Sequence, residues 1–300
     1  MRKKNVLLIG SSGFVGAQLK KKLKTRYKVF SPSSRLLDLL KIKTVQKYFS
    51  KKKIDIIINC AWKVNSKKNS MALRKLNKSL NILMARNLMK VAKDNYIKYF
   101  LNISSINIYR PRSRLLYEKD ILNKKNISPD PESLSKMKFI KLLQRVSGDY
   151  HYCNLILSNI YGFKKKNNSN LFLDKIFKNI FFKKRYKIYF SENNNSKINF
   201  LYIDDIIDAI NFFLKKLIQK KLRHTCINIC SEKNYYLKFI LKKIEIMTAT
   251  KIKFNEDNNN TLGIIPSNLL AKKYGWRSKT SLKNGLEKTI AEYKKIQKTI

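Results

Sequence analysis

A glycine-rich loop directly after an apolar run constrains the fold of this chain most. Residues 5–9 read NVLLI, and short continuous apolar runs of this kind are typical of strands buried on both faces of a parallel sheet. The following GSSGFVG places Gly10, Gly13 and Gly16 where a helix is predicted to begin. Glycine allows a tight turn, close approach of a pyrophosphate to backbone N–H groups, and close packing of helix on sheet. The loop therefore predicts a dinucleotide site at the start of the first helix.

Strands and helices alternate along the rest of the first half of the chain. Further strands are predicted at YKVFS, IDIIINCA (54–61), YFLNISS (99–105) and NLILSNIYG (154–162), with helical stretches between them. This spacing is that of βαβ units and predicts an α/β fold, a Rossmann-type doubly wound parallel sheet. After about residue 163 the pattern loosens, with polar loops at KKKNNSN and NEDNNN. We predict a dinucleotide-binding domain over 1–162, completed by about 198–230, and a smaller C-terminal substrate lobe from 163–197 and 231–300.

The charge of the chain is extreme but uninformative about a specific partner. Lys and Arg total 66 against 19 Asp and Glu, a net charge of +47. Lysine greatly outnumbers arginine, the better reader of bases and phosphate, and the basic residues are spread along the chain. Asn and Ile are abundant too, which indicates a general compositional drift. We expect nucleic acid to bind only non-specifically, at low salt.

Composition also bears on location and on metals. No apolar run reaches the roughly 18 residues that a membrane span needs, and the apolar run at the N-terminus is too short for a secretory signal. The four cysteines show no CxxC spacing, and with only two histidines we expect no metal site. We expect reduced thiols in a cytoplasmic protein.

Several further motifs follow the glycine loop in a fixed order. The loop has GxxGxxG spacing, and it is followed by LLDLL (36–40), NCAW (59–62), NISSINIY (102–109), SNIYG (158–162) and NFLYIDDIIDAI (199–210). Over nearly its full length the chain resembles the extended short-chain dehydrogenase/reductase family, the NAD-dependent epimerases, dehydratases and reductases of nucleotide sugars. The resemblance implies NAD(H) or NADP(H) as cofactor, a nucleotide-diphosphate sugar as substrate and an oxidoreductase or epimerase activity.

The resemblance and the loop together give the candidate site residues. The resemblance implies that Asp38 and Leu39 hold the adenine, that Cys60 and Ala61 lie under the cofactor, and that Asn159 lies near the nicotinamide. The candidate cofactor-binding residues are Gly10, Ser12, Gly13, Phe14, Val15, Gly16, Arg35, Asp38, Leu39, Cys60, Ala61, Lys136 and Asn159. The candidate catalytic residues are Ser105, Lys136, Asn77 and Glu132. Simpler alternatives stay open: Asp38 could cap a helix, Ser105 could be a polar strand end, and Cys60 is more simply a packing residue. Asp204 and Asp205 are predicted to cap a helix start and not to be catalytic.

The stretch PESLSK (131–136) contains the main departure from the family pattern. Relatives carry a tyrosine and a lysine four residues apart on one helix, the tyrosine moving a proton to or from the sugar oxygen and the lysine holding the nicotinamide ribose. Ser135 and Lys136 match this pattern, but Glu132 occupies the tyrosine position. Glu132 and Lys136 are predicted to form an ion pair at the helix start. Two interpretations follow: a relay through Ser105, Tyr109 or water, or a cofactor-binding relative with impaired catalysis.

The segment after the second strand bears on the choice of cofactor, and the resemblance bears on biological role and assembly. No acidic residue directly follows the strand in VFSPSSR, so Ser33, Ser34 and Arg35 could hold a 2′-phosphate, which favours NADP(H) slightly over NAD(H). The resemblance suggests surface polysaccharide synthesis as the role and a homodimer through a four-helix interface as the assembly. A structural or RNA-associated role on the same scaffold is the alternative.

Overall fold

The computed structural model describes residues 3–64, 70–145, 151–164, 171–182, 187–190, 196–222, 225–254 and 262–297. The predicted loop NEDNNN, and all but the first residue of KKKNNSN, lie outside the described residues. The strands are β1 (Asn5–Ile9), β2 (Lys28–Phe30), β3 (Ile56–Asn59), β4 (Tyr99–Ser105), β5 (His151–Leu157), β6 (Asn159–Tyr161), β7 (Lys187–Phe190), β8 (Lys197–Ile198), β9 (Phe200–Tyr202), β10 (Cys226–Ile229), β11 (Tyr235–Tyr236) and β12 (Lys251–Phe254). The α-helices are α1 (Phe14–Leu23), α2 (Ile42–Ser50), α3 (Met71–Asp94), α4 (Pro131–Arg145), α5 (Phe172–Phe181), α6 (Ile203–Ile218), α7 (Leu237–Thr248), α8 (Leu269–Lys273) and α9 (Leu282–Gln297).

A six-stranded sheet with the order β10-β5-β4-β3-β1-β2 forms the centre of the fold. The pairings of β1 with β2 and β3, of β3 with β4 and of β4 with β5 are all parallel. Every residue of β1 and of β3 is buried, as their continuous apolar sequences predict. The predicted α/β class with a Rossmann-type parallel sheet is confirmed.

The strand order creates a crevice beside β1. The chain runs from β1 to β2 on one side and then crosses to β3 on the other side of β1. At such a switch point the loops after the two strands diverge, and ligands of open α/β sheets bind there, outside the carboxyl ends of the strands. The glycine loop follows β1, and residues 60–64 follow β3. Both segments therefore border the crevice.

One face of this sheet is covered by α2, α3 and α4. Leu7, Ile57 and Phe100 of the sheet share a buried cluster with Leu88 of α3 and Phe139 of α4. Each such side chain contributes about 1.5–3 kcal/mol by its removal from water. Helix α3 is longer than the predicted helical stretch SLNILMARNLMKVAKDN, since the Ser70 hydroxyl accepts from the Leu73 N–H and caps an earlier start.

Two expectations about local structure were wrong. The predicted strand 154–162 is divided into β5 and β6, and β6 pairs with β9 in a separate two-stranded sheet. The division falls at Ser158, whose N–H donates to the Ile229 carbonyl. The Asp204–Asp205 pair, expected to cap a helix, lies inside the first turn of α6. Asp205 accepts instead from the Thr280 N–H at 3.0 Å and from the Thr280 hydroxyl at 3.1 Å.

The chain divides into two compact units. The first comprises 1–110, 118–157 and 207–227, and the second comprises 111–117, 158–206 and 228–300. Four segments that the sequence assigns to the first domain lie in the second unit: 111–117, 158–162, 198–206 and 228–230. The predicted division itself stays a prediction. Among the described residues, no helix is both long and apolar enough to cross a membrane.

Candidate functional site

The glycine loop has a conformation that other residues could not adopt without displacement. Gly10 has φ +79°, and a Cβ there would lie 2.6 Å from the carbonyl carbon of Cys60. A Cβ on Gly16 would lie 2.2 Å from the Gly10 carbonyl oxygen, which also accepts the Gly13 N–H at 3.0 Å. Helix α1 has no side-chain cap and no acidic residue in its first turn. Its N-terminus is therefore suited to an anionic ligand.

A cavity of about 600 Å³ lies beside this loop. Its lining includes predicted cofactor residues from three separate segments of the chain: Gly10, Ser12, Gly13, Asp38, Leu39, Cys60 and Ala61. Phe14 and Val15 are half-buried at the start of α1. The glycine cradle and the lining fit a dinucleotide, because the loop brings backbone N–H groups to a helix start and neither Gly10 nor Gly16 has room for a Cβ.

The segment Asp38–Leu40 is fixed by side-chain hydrogen bonds. The Asp38 carboxylate accepts from the Leu40 N–H at 3.0 Å. The Asn87 side chain on α3 donates to the carbonyl oxygens of Leu39 at 2.9 Å and of Leu40 at 3.2 Å. Asp38 is not a helix cap, since α2 begins at Ile42 with Lys41 at its N-cap position. Sequence reasoning missed Asn87, whose signal is a polar residue on the apolar face of α3.

Two of the three residues predicted to hold a 2′-phosphate line the cavity. Ser33 and Ser34 line the cavity, whereas Arg35 is exposed and does not. Lys20 of α1 lines it instead. Gly13, Gly16 and Lys20 follow a spacing of three and four residues, which places them on one face of the helix. That spacing is the signal by which the sequence could have indicated Lys20.

The loop after β3 is held by several polar contacts. The Ala61 N–H donates to the Asn59 side-chain oxygen at 3.2 Å, and the Trp62 indole N–H donates to the Ile103 carbonyl at 3.0 Å. The Asn81 side chain accepts from the Lys63 N–H at 2.8 Å and donates to the Lys63 carbonyl at 3.0 Å. Asn81 therefore holds the loop through both backbone polar groups of Lys63.

Asn81 lies one turn after the asparagine chosen from the family pattern. Asn77 is half-buried on α3, whereas Asn81 is buried. The two are four residues apart, so they share a face of α3. Repetition of asparagine at this spacing was the signal available in the sequence.

Cys60 has the environment of a packing residue. Its N–H donates to the Ile9 carbonyl at 2.9 Å, which continues the pairing of β1 and β3. Desolvation by burial raises the pKa of the Cys60 thiol to about 12. At neutral pH the thiol is therefore protonated and a poor nucleophile.

Ser105 lies at the carboxyl end of β4, and its surroundings connect it to α4. Its hydroxyl accepts from the Asn107 N–H at 3.3 Å. The Asn107 carbonyl in turn accepts from the Ser133 hydroxyl in the first turn of α4 at 2.6 Å. Ser105 is half-buried, whereas Tyr109 is fully buried. Ser105 is therefore the more accessible of the two hydroxyls considered for a proton relay.

The predicted ion pair between Glu132 and Lys136 is present. The Lys136 ammonium lies 2.7 Å from a Glu132 carboxylate oxygen, and the side chains are 8% and 19% exposed, Lys136 first. The ammonium also lies 5.7 Å from the centroid of the Trp62 ring, within cation–π range. Because the pair is largely removed from water, loss of either charge would leave the other uncompensated.

The start of α4 is itself fixed by an acidic cap. The Asp130 carboxylate accepts from the N–H groups of Glu132 at 2.9 Å and Ser133 at 3.2 Å, and it pairs with Arg74 of α3. Lys136 itself does not line the cavity; its ammonium lies 5.7 Å from the ring centroid of Trp62, which does. Asn159 belongs to the second unit, where its side chain donates to the Asn199 carbonyl at 3.0 Å.

The chain is similar to several enzymes that act on nucleotide sugars. GDP-L-colitose synthase of Yersinia pseudotuberculosis is 26% identical over 302 residues, covering 95% of this chain and 96% of that protein. A GDP-D-glycero-L-gluco-heptose synthase from Campylobacter jejuni, solved in the presence of NADPH, is similar with a TM-score of 0.81, 17% identity and coverage of 98% and 99% of the two chains. The UDP-glucose 4-epimerase of Thermus thermophilus in complex with NAD gives a TM-score of 0.78, 17% identity and coverage of 97% and 99%.

The sequence also matches a family model over most of its length. The model, described as the NAD dependent epimerase/dehydratase family, matches residues 6–230. That span includes the glycine loop, Ser105 and the Glu132–Lys136 pair, and it confirms the resemblance inferred from the motifs. The chain therefore belongs to the NAD-dependent epimerase/dehydratase family.

Proposed function

We propose that this protein transfers a hydride between a nicotinamide dinucleotide and a keto or hydroxyl carbon of a nucleotide-diphosphate sugar. The observation that carries the proposal is the cavity beside the glycine loop, whose lining residue Trp62 is in cation–π contact with Lys136. A GDP-linked sugar is favoured, because the curated relative is a GDP-L-colitose synthase and a structural neighbour from Campylobacter jejuni is a GDP-mannoheptose C4 reductase with NADP bound. Reduction of a keto sugar is favoured over epimerisation for the same reason.

The first compact unit supplies the groups that would hold the dinucleotide. The N–H groups at the start of α1 would bind the pyrophosphate, and Asp38 would hold the adenine end. Ser33, Ser34 and Lys20 would bind a 2′-phosphate, with Arg35 at the exposed edge, which supports a preference for NADP(H). When bound, the dinucleotide supplies or accepts the hydride.

The proton of the reaction depends on the chain's own side chains. Ser105 is placed at the carboxyl end of β4, where its hydroxyl would hold the sugar oxygen. Lys136 has a carboxylate as its partner where relatives have a phenol. A carboxylate paired with an ammonium is a poor proton donor at neutral pH. We therefore expect turnover that is slower than the same site would give with a tyrosine at position 132.

Substitution of Glu132 tests this account. Purified protein would be assayed with NADPH and a GDP-linked 4-keto sugar by following NADPH absorbance. Glu132→Tyr should increase turnover, whereas Glu132→Gln, which removes the same charge without adding a phenol, should not. Equal rates for the wild type and Glu132→Tyr, with both proteins folded and saturated with NADPH, would contradict the proposed role of position 132.

The second candidate function is a dinucleotide-binding relative with impaired catalysis and a structural or RNA-associated role. One observation favours impaired catalysis: the carboxylate at position 132 engages Lys136. NADPH binding without turnover on any nucleotide sugar would support it. RNA binding that persists at about 0.5 M salt would support the RNA-associated form, because non-specific polyanion binding falls steeply with salt.

Assembly and biological role are further parts of the proposal. Helix α3 exposes an apolar stripe in which Leu73, Leu76 and Leu83 are 42%, 53% and 41% exposed. A homodimer that covers this stripe would remove it from water. Light scattering should then give a dimer mass that Leu76→Lys reduces to that of a monomer; a monomeric wild type would contradict the assembly. A cytoplasmic location and a role in surface polysaccharide synthesis stay predictions.

A further inference from the structure

Three buried asparagines cross the central sheet side by side. Asn59 of β3, Asn102 of β4 and Asn154 of β5 are paired in register, and their exposures are 2%, 0% and 0%. The side chains are linked by N–H to oxygen hydrogen bonds of 2.9 Å between Asn59 and Asn102 and 2.9 Å between Asn102 and Asn154. We call these three residues the amide chain.

The two ends of the amide chain are anchored on backbone groups. At the distal end the Asn154 side chain donates to the Thr225 carbonyl at 3.1 Å. At the proximal end the Asn59 side-chain oxygen accepts from the Ala61 N–H at 3.2 Å. Ala61 lines the cavity beside the glycine loop. The amide chain therefore connects Thr225, the residue before β10, with the loop that lines the candidate cofactor site.

The direction of every hydrogen bond in the amide chain is the same. A backbone carbonyl can only accept, so Thr225 fixes the NH₂ group of Asn154 toward itself and leaves the Asn154 oxygen for Asn102. The same constraint passes from Asn102 to Asn59. If Asn59 were flipped, its NH₂ group would face the Ala61 N–H, donor against donor.

The sheet itself does not require these side chains. The parallel pairing of β3, β4 and β5 rests on backbone groups, and the neighbouring positions Ile57, Phe100 and Tyr152 on the same face belong to the buried apolar cluster. Polar side chains buried among apolar ones are costly unless every donor and acceptor is satisfied. Burial of three polar side chains is explained if the orientation of the Asn59 amide serves the loop that contains Ala61.

We propose that Asn102 and Asn154 are positioning residues for the cofactor loop after β3. They fix the orientation of the Asn59 side chain, and Asn59 holds the Ala61 N–H and with it the backbone that lines the cavity. This inference rests on the proposed function for its effect on dinucleotide binding, but its effect on Ala61 does not depend on that function.

The test combines hydrogen exchange with cofactor titration. Asn154→Leu removes the distal amide while keeping the number and branching of the side-chain heavy atoms. Exchange at the Ala61 amide of the protein without added cofactor, followed by NMR, should accelerate at least about fivefold, the loss of roughly one hydrogen bond. The Kd for NADPH should rise by a similar factor. Asn154→Ser is read in the same way if the leucine variant fails to fold.

Asn5→Leu is the matched control. Asn5 is also an asparagine of the central sheet, is 4% exposed, and its side chain donates to a single backbone carbonyl, that of Lys53. Asn5→Leu removes one side-chain hydrogen bond and also a buried side-chain oxygen that has no hydrogen-bond partner among the described residues, so it should lower the melting temperature no more than Asn154→Leu does. It should change Ala61 exchange and the NADPH Kd less than about twofold. Unchanged Ala61 exchange in the Asn154 variants, or equal acceleration in Asn5→Leu, would overturn the inference. Failure of the wild type to bind NADPH or NADH would instead reject the proposed function, while the exchange result would still decide the role of the amide chain.

Discussion

Replacement of Gly16 by alanine should disrupt the cofactor site through a contact that the structure defines. The new Cβ would lie 2.2 Å from the Gly10 carbonyl oxygen and 2.9 Å from the Ser11 Cα, both backbone atoms. Ordinary contact begins at 3.4 Å, so the helix and the loop would have to separate by 1.2 Å, that is 3.4 minus 2.2. Overpacking of this kind costs about 1–3 kcal/mol. In a domain of this size that corresponds to a melting temperature lower by roughly 2–10 °C.

The effect on binding should exceed the effect on stability. The Gly10 carbonyl also accepts the Gly13 N–H, so displacement of the loop would disturb the N–H groups at the start of α1. We expect the Kd for NADPH to rise more than about tenfold, measured by fluorescence titration next to thermal unfolding. Gly13→Ala is the control for stability, because its Cβ would lie 3.3 Å from the same oxygen and its φ of −72° suits alanine. A Gly16→Ala protein with unchanged melting temperature and unchanged Kd would refute the steric reasoning.

Three further predictions concern separate parts of the molecule. Asn87→Leu should lower the free energy of unfolding by about 1–3 kcal/mol and weaken NADPH binding, since it removes two hydrogen bonds that hold the Asp38–Leu40 segment; urea unfolding with an unchanged midpoint would contradict this. Cys60 is half-buried and lines the cavity, but desolvation raises the pKa of its thiol to about 12, so it should resist iodoacetamide at pH 8 in the folded protein and react in urea, as mass spectrometry would show. Rapid labelling of the folded form would count against the raised pKa. Burial raises the pKa of Tyr161 above the unfolded value of about 10, so above about pH 10 the unfolded state loses a proton that the folded state keeps, and the free energy of unfolding should fall. Tyr161→Phe should make the fall in the free energy of unfolding between pH 9 and pH 11 smaller. An equal fall in the wild type and the variant would contradict this.

The glycine loop and the parallel sheet could be predicted from the sequence, because each depends on residues that are close together in the chain. Gly10 has a positive φ, and Gly16 packs directly on the Gly10 carbonyl, so only glycine fits either position. The runs NVLLI and IIIN are buried along their whole length, as a parallel strand covered on both faces requires. The ion pair of Glu132 and Lys136 was also predictable, since residues four apart on a helix are neighbours.

The residues that hold the segments of the site in place could not be predicted in the same way. Asn87 acts on a carbonyl 48 positions earlier in the chain, and Asn81 on a loop 18 positions earlier. Such contacts depend on how α3 packs on the sheet, which the pattern of a single helix does not specify. Arg35 was chosen because it lies in the segment after the second strand, and Lys20 was not considered; the fold brings Lys20 of α1 to the cavity and leaves Arg35 exposed.

The measurement that tests the central claim most directly is a fluorescence titration of the purified protein with NADPH and, in parallel, NADH. Salt must be moderate, because a chain with a net charge of +47 attracts any anion at low ionic strength. We predict saturable binding with one site per chain, tighter for NADPH than for NADH, retained at about 0.3 M salt and lost in Gly16→Ala. Absence of saturable binding of either dinucleotide at that salt concentration would contradict the account.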